Sequence, residues 1–280
     1  MHSRNSAAAC LLAPLLWLVL VPEASAAALR AETLKAWERY VGWADARVER
    51  ELADPDRFLW QEYLPQADRA EITERLRSGR VVVRRMSGVV PAGVKLEVPD
   101  GAVHHWWGSI LVPDVSLAPL LRFVKDYDHH AGRFVEVEQA RLLARNGETY
   151  QFFLRLRRTK APITVYYNTE QECTYRSYGP KLASSRSVAL RIAELENPGT
   201  PREREKSSDD DRGFLWRMVT WWRFKQTPRG VLVECESASL SRNIPGWLRF
   251  IPGAIGYLES VPRESIENTL TSIRKYAGAD

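Results

Sequence analysis

Between Ala31 and Leu52 apolar side chains return at helical spacing: Leu34, Trp37, Val41, Ala44 and Val48 fall on one side and charged residues fill the other. That spacing predicts one amphipathic helix. A shorter helix is predicted over RAEITERLR (69–77), closed by Ser78 and Gly79, and a strand over VVVRRM (81–86). The Gly- and Pro-rich SGVVPAGVKLEVPDG (87–101) is a connector and sets a boundary near residue 100. Beyond it HHWWGSILV (104–112) is a strand. SLAPLLRFVKDYDHH (116–130) is a helix with Leu117, Leu120, Leu121 and Val124 on one face and Ser116 at its N-cap.

Six β-branched or aromatic runs follow: 133–145, 149–159, 163–178, 187–196, 214–225 and 230–240. Turn chemistry separates them, as at Asn146-Gly147 and at Thr227-Pro228-Arg229-Gly230, so antiparallel hairpins are predicted. The polar stretch PGTPREREKSSDDDRG (198–213) is expected to be a solvated, mobile connection. Helical spacing then returns in VPRESIENTLTSIRKYAG (261–278), which starts at Pro262, carries Ile266, Leu270, Ile273 and Ala277 on one stripe and stops at Gly278. The order of elements implies an α+β fold: a curved antiparallel sheet of about seven strands wrapped around a long C-terminal helix, with a helical N-terminal extension. Such a sheet can leave a cavity between itself and the helix.

Alternation says which side chains would line that cavity. In FLWRMVTWWRF the set Phe214, Trp216, Met218, Thr220, Trp222 and Phe224 forms the apolar face, and Leu215, Arg217, Val219, Trp221 and Arg223 form the other. A tight loop to the next strand adds Val231, Val233, Cys235 and Ser237 to the apolar face. It pairs Glu234 and Glu236 with Arg217 and Arg223 outside, where exposed cross-strand pairs are expected. The expected cavity wall is Trp106 or Trp107, Tyr127, Trp216, Met218, Trp222 and Phe224, faced by Ile266 and Leu270 of the last helix. In HHWWG the pairs His104/Trp106 and His105/Trp107 point to opposite faces, and the strand register decides which pair enters the cavity.

The same alternation weakens a metal site, since both histidines cannot serve one ion, and no metal is expected; a mixed site of His104 or His105 with His129 and Asp126 is the alternative. His129 and His130 lie at a helix end, where the dipole favours an imidazolium. No cofactor is expected either. The chain lacks G-x-S-x-G, G-x-G-x-x-G, H-E-x-x-H and paired C-x-x-C motifs. Glu194 is the one acid whose burial would suit it to proton transfer, although its place at a strand end predicts exposure.

Composition then sets the compartment. MHSRNSAAACLLAPLLWLVLVPEASA joins Arg4, an apolar run from Ala7 to Val21 and the small-residue site Ala24-Ser25-Ala26, the pattern of a secretory signal peptide cleaved after Ala26. The remaining cysteines, Cys173 and Cys235, fall on apolar strands that are not neighbours, so two buried free thiols are expected. The net charge of +5 is scattered among mixed-sign clusters, which speaks for a solvated surface rather than a nucleic-acid partner.

Element order and the strings WWGSILVP, GFLWRMVTWWRF, ECESASLSRNIP and VPRESIENTL resemble the START-like superfamily, also called SRPBCC or helix-grip, and within it a subgroup of exported bacterial members. The resemblance covers about 101–280. Residues 1–26 are then the signal peptide and 27–100 an N-terminal extension. It implies binding of a hydrophobic small molecule or lipid, in a protein that the signal peptide sends to the periplasm or outside and that is expected to be a monomer; the apolar, Trp-bearing 243–261 is read as packing under the last helix, with a lid that touches a membrane surface as the alternative. A cyclase, dehydratase or hydrolase using the same cavity, or an interaction module docking through 27–100, are the competing readings. Fold alone does not choose between them.

Overall fold

In the computed structural model, which describes residues 29–160, 163–207, 210–243 and 254–278, the first helical pattern becomes α1 (Ala31–Leu52). It is followed by a short 3-10 turn at Trp60–Tyr63 and by α2 (Gln66–Arg77). The strands are β1 (Val82–Arg85), β2 (Gly101–Pro113), β3 (Val137–Asn146), β4 (Thr149–Lys160), β5 (Ile163–Ser177), β6 (Leu182–Glu196), β7 (Arg204–Glu205), β8 (Arg217–Thr227) and β9 (Gly230–Arg242). Between β2 and β3 lies α3 (Leu117–Lys125), and the chain closes on α4 (Ala254–Tyr276). The expected signal peptide and residues 244–253 of the apolar stretch lie outside the described residues.

Among the described residues the nine strands form one antiparallel sheet, ordered β1-β2-β9-β8-β6-β5-β4-β3, with β7 against the far end of β6. Bulges between β3 and β4, and between β5 and β6, add local twist and bend. The sheet curls enough for α4 to be held from both ends. Gly108 of β2 meets Ile266 and Leu270, while Glu264 bonds Arg158 at 2.7 Å and also pairs with Lys160, both on β4.

Each face has its own core. The face towards α4 buries Ile110, Val112, Phe152, Phe224, Val233, Leu270 and their neighbours. The outer face buries Trp107, Leu111, Val219, Trp221 and Leu240 beneath Trp37, Val41, Ala44 and Val48 of α1 and Ile72 of α2. Residues 29–100 therefore cover one side of the sheet and, through β1, extend its edge next to β2.

Several local expectations change for physical reasons. Helix α4 starts at Ala254 and runs through Pro262, because a proline removes one backbone bond and makes a boundary probable rather than obligatory. Ser116 sits at the N-cap of α3 without a side-chain cap bond, and the Gln226 amide oxygen instead accepts from Leu117 N at 2.7 Å. The 198–213 connection is tied down: β7 pairs with β6, and Glu194 receives Arg212 Nε at 2.7 Å and Arg212 N at 3.1 Å. Glu194 is consequently buried, with Lys206 Nζ at 3.1 Å completing its charge balance.

The Arg/Glu cluster is on the outer face, as alternation requires, but that face is covered. Arg223, Glu234 and Glu236 are 2, 1 and 3 % exposed. Arg217, half-buried, donates to Trp216 O at 2.8 Å. His130 also departs from expectation, since burial among Tyr127 and Phe134 lowers its pKa to about 4 and keeps it neutral.

Candidate ligand-binding wall

Strand register places the inward side chains in rows that run across the sheet. One row is Trp106, Ser237, Thr220, Ser187 and Cys173, each directly opposed to the next on β2, β9, β8, β6 and β5. The row beside it is Gly108, Cys235, Trp222, Ser185 and Tyr175. On the other side His104 opposes Ser239, which opposes Met218.

The register resolves the two His-Trp pairs. His104 and Trp106 face α4, whereas His105 and Trp107 face α1. His104 Nε2 lies 2.8 Å from Ser241 Oγ on the inner side. On the outer side His105 Nδ1 is 2.7 Å from the Tyr40 hydroxyl, and its Nε2 is 2.7 Å from Glu236. Burial, followed by the charge of Glu236, pushes the Tyr40 pKa up, so the phenol keeps its proton within hydrogen-bond distance of Nδ1. Arg47 pairs with both Glu236 and Glu51, and Glu51 with Arg223. Glu234 accepts from Trp60 N at 2.7 Å and Gln61 N at 3.1 Å. This network fastens the N-terminal segment; it does not open to the interior.

The other expected wall residues divide the same way. Met218, Trp222, Phe224, Ile266 and Leu270 are on the α4 side, Trp222 and Phe224 being parallel with centroids 6.2 Å apart. Tyr127 joins them at the closed end, stacked on Phe152 at 3.8 Å with its hydroxyl 2.9 Å from that of Tyr175. Trp216 and Trp107 are outer-face residues. Trp216 precedes β8, where the chain has left the alternation, and its Nε1 donates to Asp211 at 3.1 Å. The hydroxyls of Thr220, Ser237 and Ser187 carry no sequence motif that marks them as a site, although alternation places the first two on the inner face.

Cys173 and Cys235 are free and buried on inward positions of β5 and β9, two strands that are not paired. Burial raises both thiol pKa values and keeps them protonated and inert. His129, exposed, pairs with Asp126 at 2.7 Å after α3, and the register holds His104 and His105 on opposite faces of β2.

An antiparallel sheet in this order, closed over a C-terminal helix, decides the architecture. The described residues have an α+β architecture, a curved antiparallel sheet gripping a C-terminal helix. No family model matches it, and no curated protein does. Among solved structures, a STAR-related lipid transfer protein from Xanthomonas axonopodis aligns at 17% identity over 66% of this chain and 97% of that one, with a TM-score of 0.44. Human STARD10 aligns at 12% over 81% and 86%, at 0.43. The Zhui aromatase/cyclase of a Streptomyces species aligns at 12% over 63% and 94%, at 0.41. At such identities and scores nothing about ligand or reaction carries over to the grip.

Proposed function

We propose that this protein is an exported carrier that binds an apolar small molecule or lipid between α4 and the inner face of the sheet. The observation that carries the reading is the unequal burial along β8. In its middle the outward Val219, Trp221 and Arg223 are fully buried, whereas the inward Met218, Thr220 and Trp222 stay half-buried although the strand is central in the sheet; beyond that stretch inward Phe224 is buried and outward Arg217 half-buried. A packed core would cover both sides equally. Here the side towards the helix is the open one, and it is lined by indole and thioether groups suited to an apolar guest.

The N-terminal pattern supports export with cleavage after Ala26, and the apolar stretch 243–261 supports contact with a membrane surface where a ligand is taken up. Native mass spectrometry on protein recovered from the envelope of an expressing bacterium, followed by solvent extraction, tests these points together. The expected species is a monomer beginning at Ala27 with a non-covalent apolar adduct. A ligand-free protein that also takes up no apolar dye sinks the carrier reading, and a mass that includes residues 1–26 sinks export.

A further inference from the structure

Three hydroxyls of the open wall stand in one row. Ser237, Thr220 and Ser187 are directly opposed neighbours on β9, β8 and β6, about 4.8 Å apart from strand to strand, with the Trp106 indole at one end. Thr220 Oγ1 accepts from Trp222 Nε1 at 3.2 Å, which leaves its own O–H to donate elsewhere. Among the described residues neither that hydroxyl proton nor the one on Ser237 has an acceptor, and both side chains are half-buried. Two donors are thus aimed from mid-wall into the space that the carrier reading assigns to the ligand.

Charge on the same wall is already spent. The inward-pointing charged side chains on β4 and β6 are Glu194, Arg158 and Lys160. The first holds Arg212 and Lys206, and the other two pair with Glu264, Arg158 also with Glu136. The inward set described on β2, β8 and β9 has no Lys, Arg, Asp or Glu, and its histidine, His104, is engaged by Ser241. The cation of β1, Arg85, opposes Trp106 at the exposed edge of the row, two strands away from Ser237, so a carboxylate or phosphate placed at mid-wall would lose its hydration with no cation beside it. A pure hydrocarbon would leave two donors unsatisfied.

Resting on the carrier reading, we infer that the ligand is an uncharged apolar molecule with a hydrogen-bond-accepting oxygen part-way along its body, and that Thr220 with Ser237 selects it. Both charged-headgroup lipids and bare hydrocarbons are thereby disfavoured.

Three probes of matched size separate the possibilities: 2-acetylnaphthalene, naphthalene and 2-naphthoate, titrated calorimetrically at neutral pH into the delipidated protein. The acetyl compound is expected to bind about tenfold more tightly than naphthalene, the yield of one to two neutral hydrogen bonds, and the naphthoate more weakly than either. Thr220→Val with Ser237→Ala is expected to bring the acetyl compound down to the naphthalene level while naphthalene itself is unchanged. Thr220→Ser, which restores one hydroxyl, keeps the preference. Naphthoate binding as well as the acetyl compound, or an acetyl preference that survives in the double variant, overturns this inference and leaves the carrier reading standing. Failure of all three probes to bind overturns the carrier reading itself.

Discussion

Gly108 marks the point where the last helix rests directly on strand backbone. A Cβ built there would stand 2.5 Å from Ile266 Cγ2 and 2.8 Å from Leu270 Cδ1, with the Val82 carbonyl close by. Gly108→Ala must push α4 off β2, and overpacking of this kind costs about 1–3 kcal/mol. The expected result is a lower denaturant midpoint at unchanged slope. The inward place of that glycine depends on a strand register that the sequence leaves open, whereas those of Thr220, Ser237 and Cys235 follow from alternation, because a two-residue hairpin loop locks the parity of β8 to that of β9. Glu234, Glu236 and Arg223 show where parity stops being informative. It put them outside correctly, and outside ordinarily means water, but no local pattern reports that a helix lies on top of them.

At the scale of elements, that helix is α1. Its stripe of Trp37, Val41, Ala44 and Val48 declared a need for an apolar surface without saying which, since amphipathicity has no address. The address is written in polar partners scattered along the chain. Asp45 accepts from Trp221 Nε1 at 2.8 Å and from Arg186 Nε at 2.7 Å, Tyr40 meets His105, and Arg47 meets Glu236. Such pairs, 65 to 189 residues apart in sequence, have no spacing signature. Their burial makes α1 hard to remove, because taking away one side of a buried ion pair costs about 3–5 kcal/mol. A chain lacking residues 29–64 leaves His105, Glu234, Glu236 and Arg223 without their caps and uncovers Trp107 and Trp221. The expected product is aggregated or binds a hydrophobic dye strongly. A soluble, cooperatively unfolding protein would show instead that the segment is a detachable accessory. The grip strands were legible because period-2 alternation is strong over ten to fifteen residues; β7, two residues long, was not.

For the whole molecule, pH sets two buried groups against each other. Burial raises the Glu234 pKa from 4.5 to about 7, against the opposing pull of Arg223 and two backbone amides. The folded chain therefore holds that proton more tightly than the unfolded one, and stability is lost as pH rises from about 4.5 to 7. Burial lowers the His130 pKa from 6.5 to about 4, so the unfolded chain takes up that proton first and stability is lost as pH falls from about 6.5 to 4. Between pH 4.5 and 6.5 the two slopes have opposite sign, each at most about 1.4 kcal/mol per pH unit, and the wild-type protein should be nearly flat there. Glu236 adds to the acid side: burial would raise its pKa, but His105, Arg47 and Arg223 outweigh it and hold the carboxyl below 4.5. Its contribution is present above that pH and lost below. Denaturant titrations across the window should unmask each slope. Glu234→Gln leaves His130 unopposed, and stability should rise from pH 4.5 to 6.5. His130→Gln leaves Glu234 unopposed, and stability should fall over the same range. Parallel profiles for the two variants would show that these groups do not govern the pH response, whereas profiles of opposite slope would place one titrating carboxyl under the N-terminal cover and one neutral imidazole beneath α3.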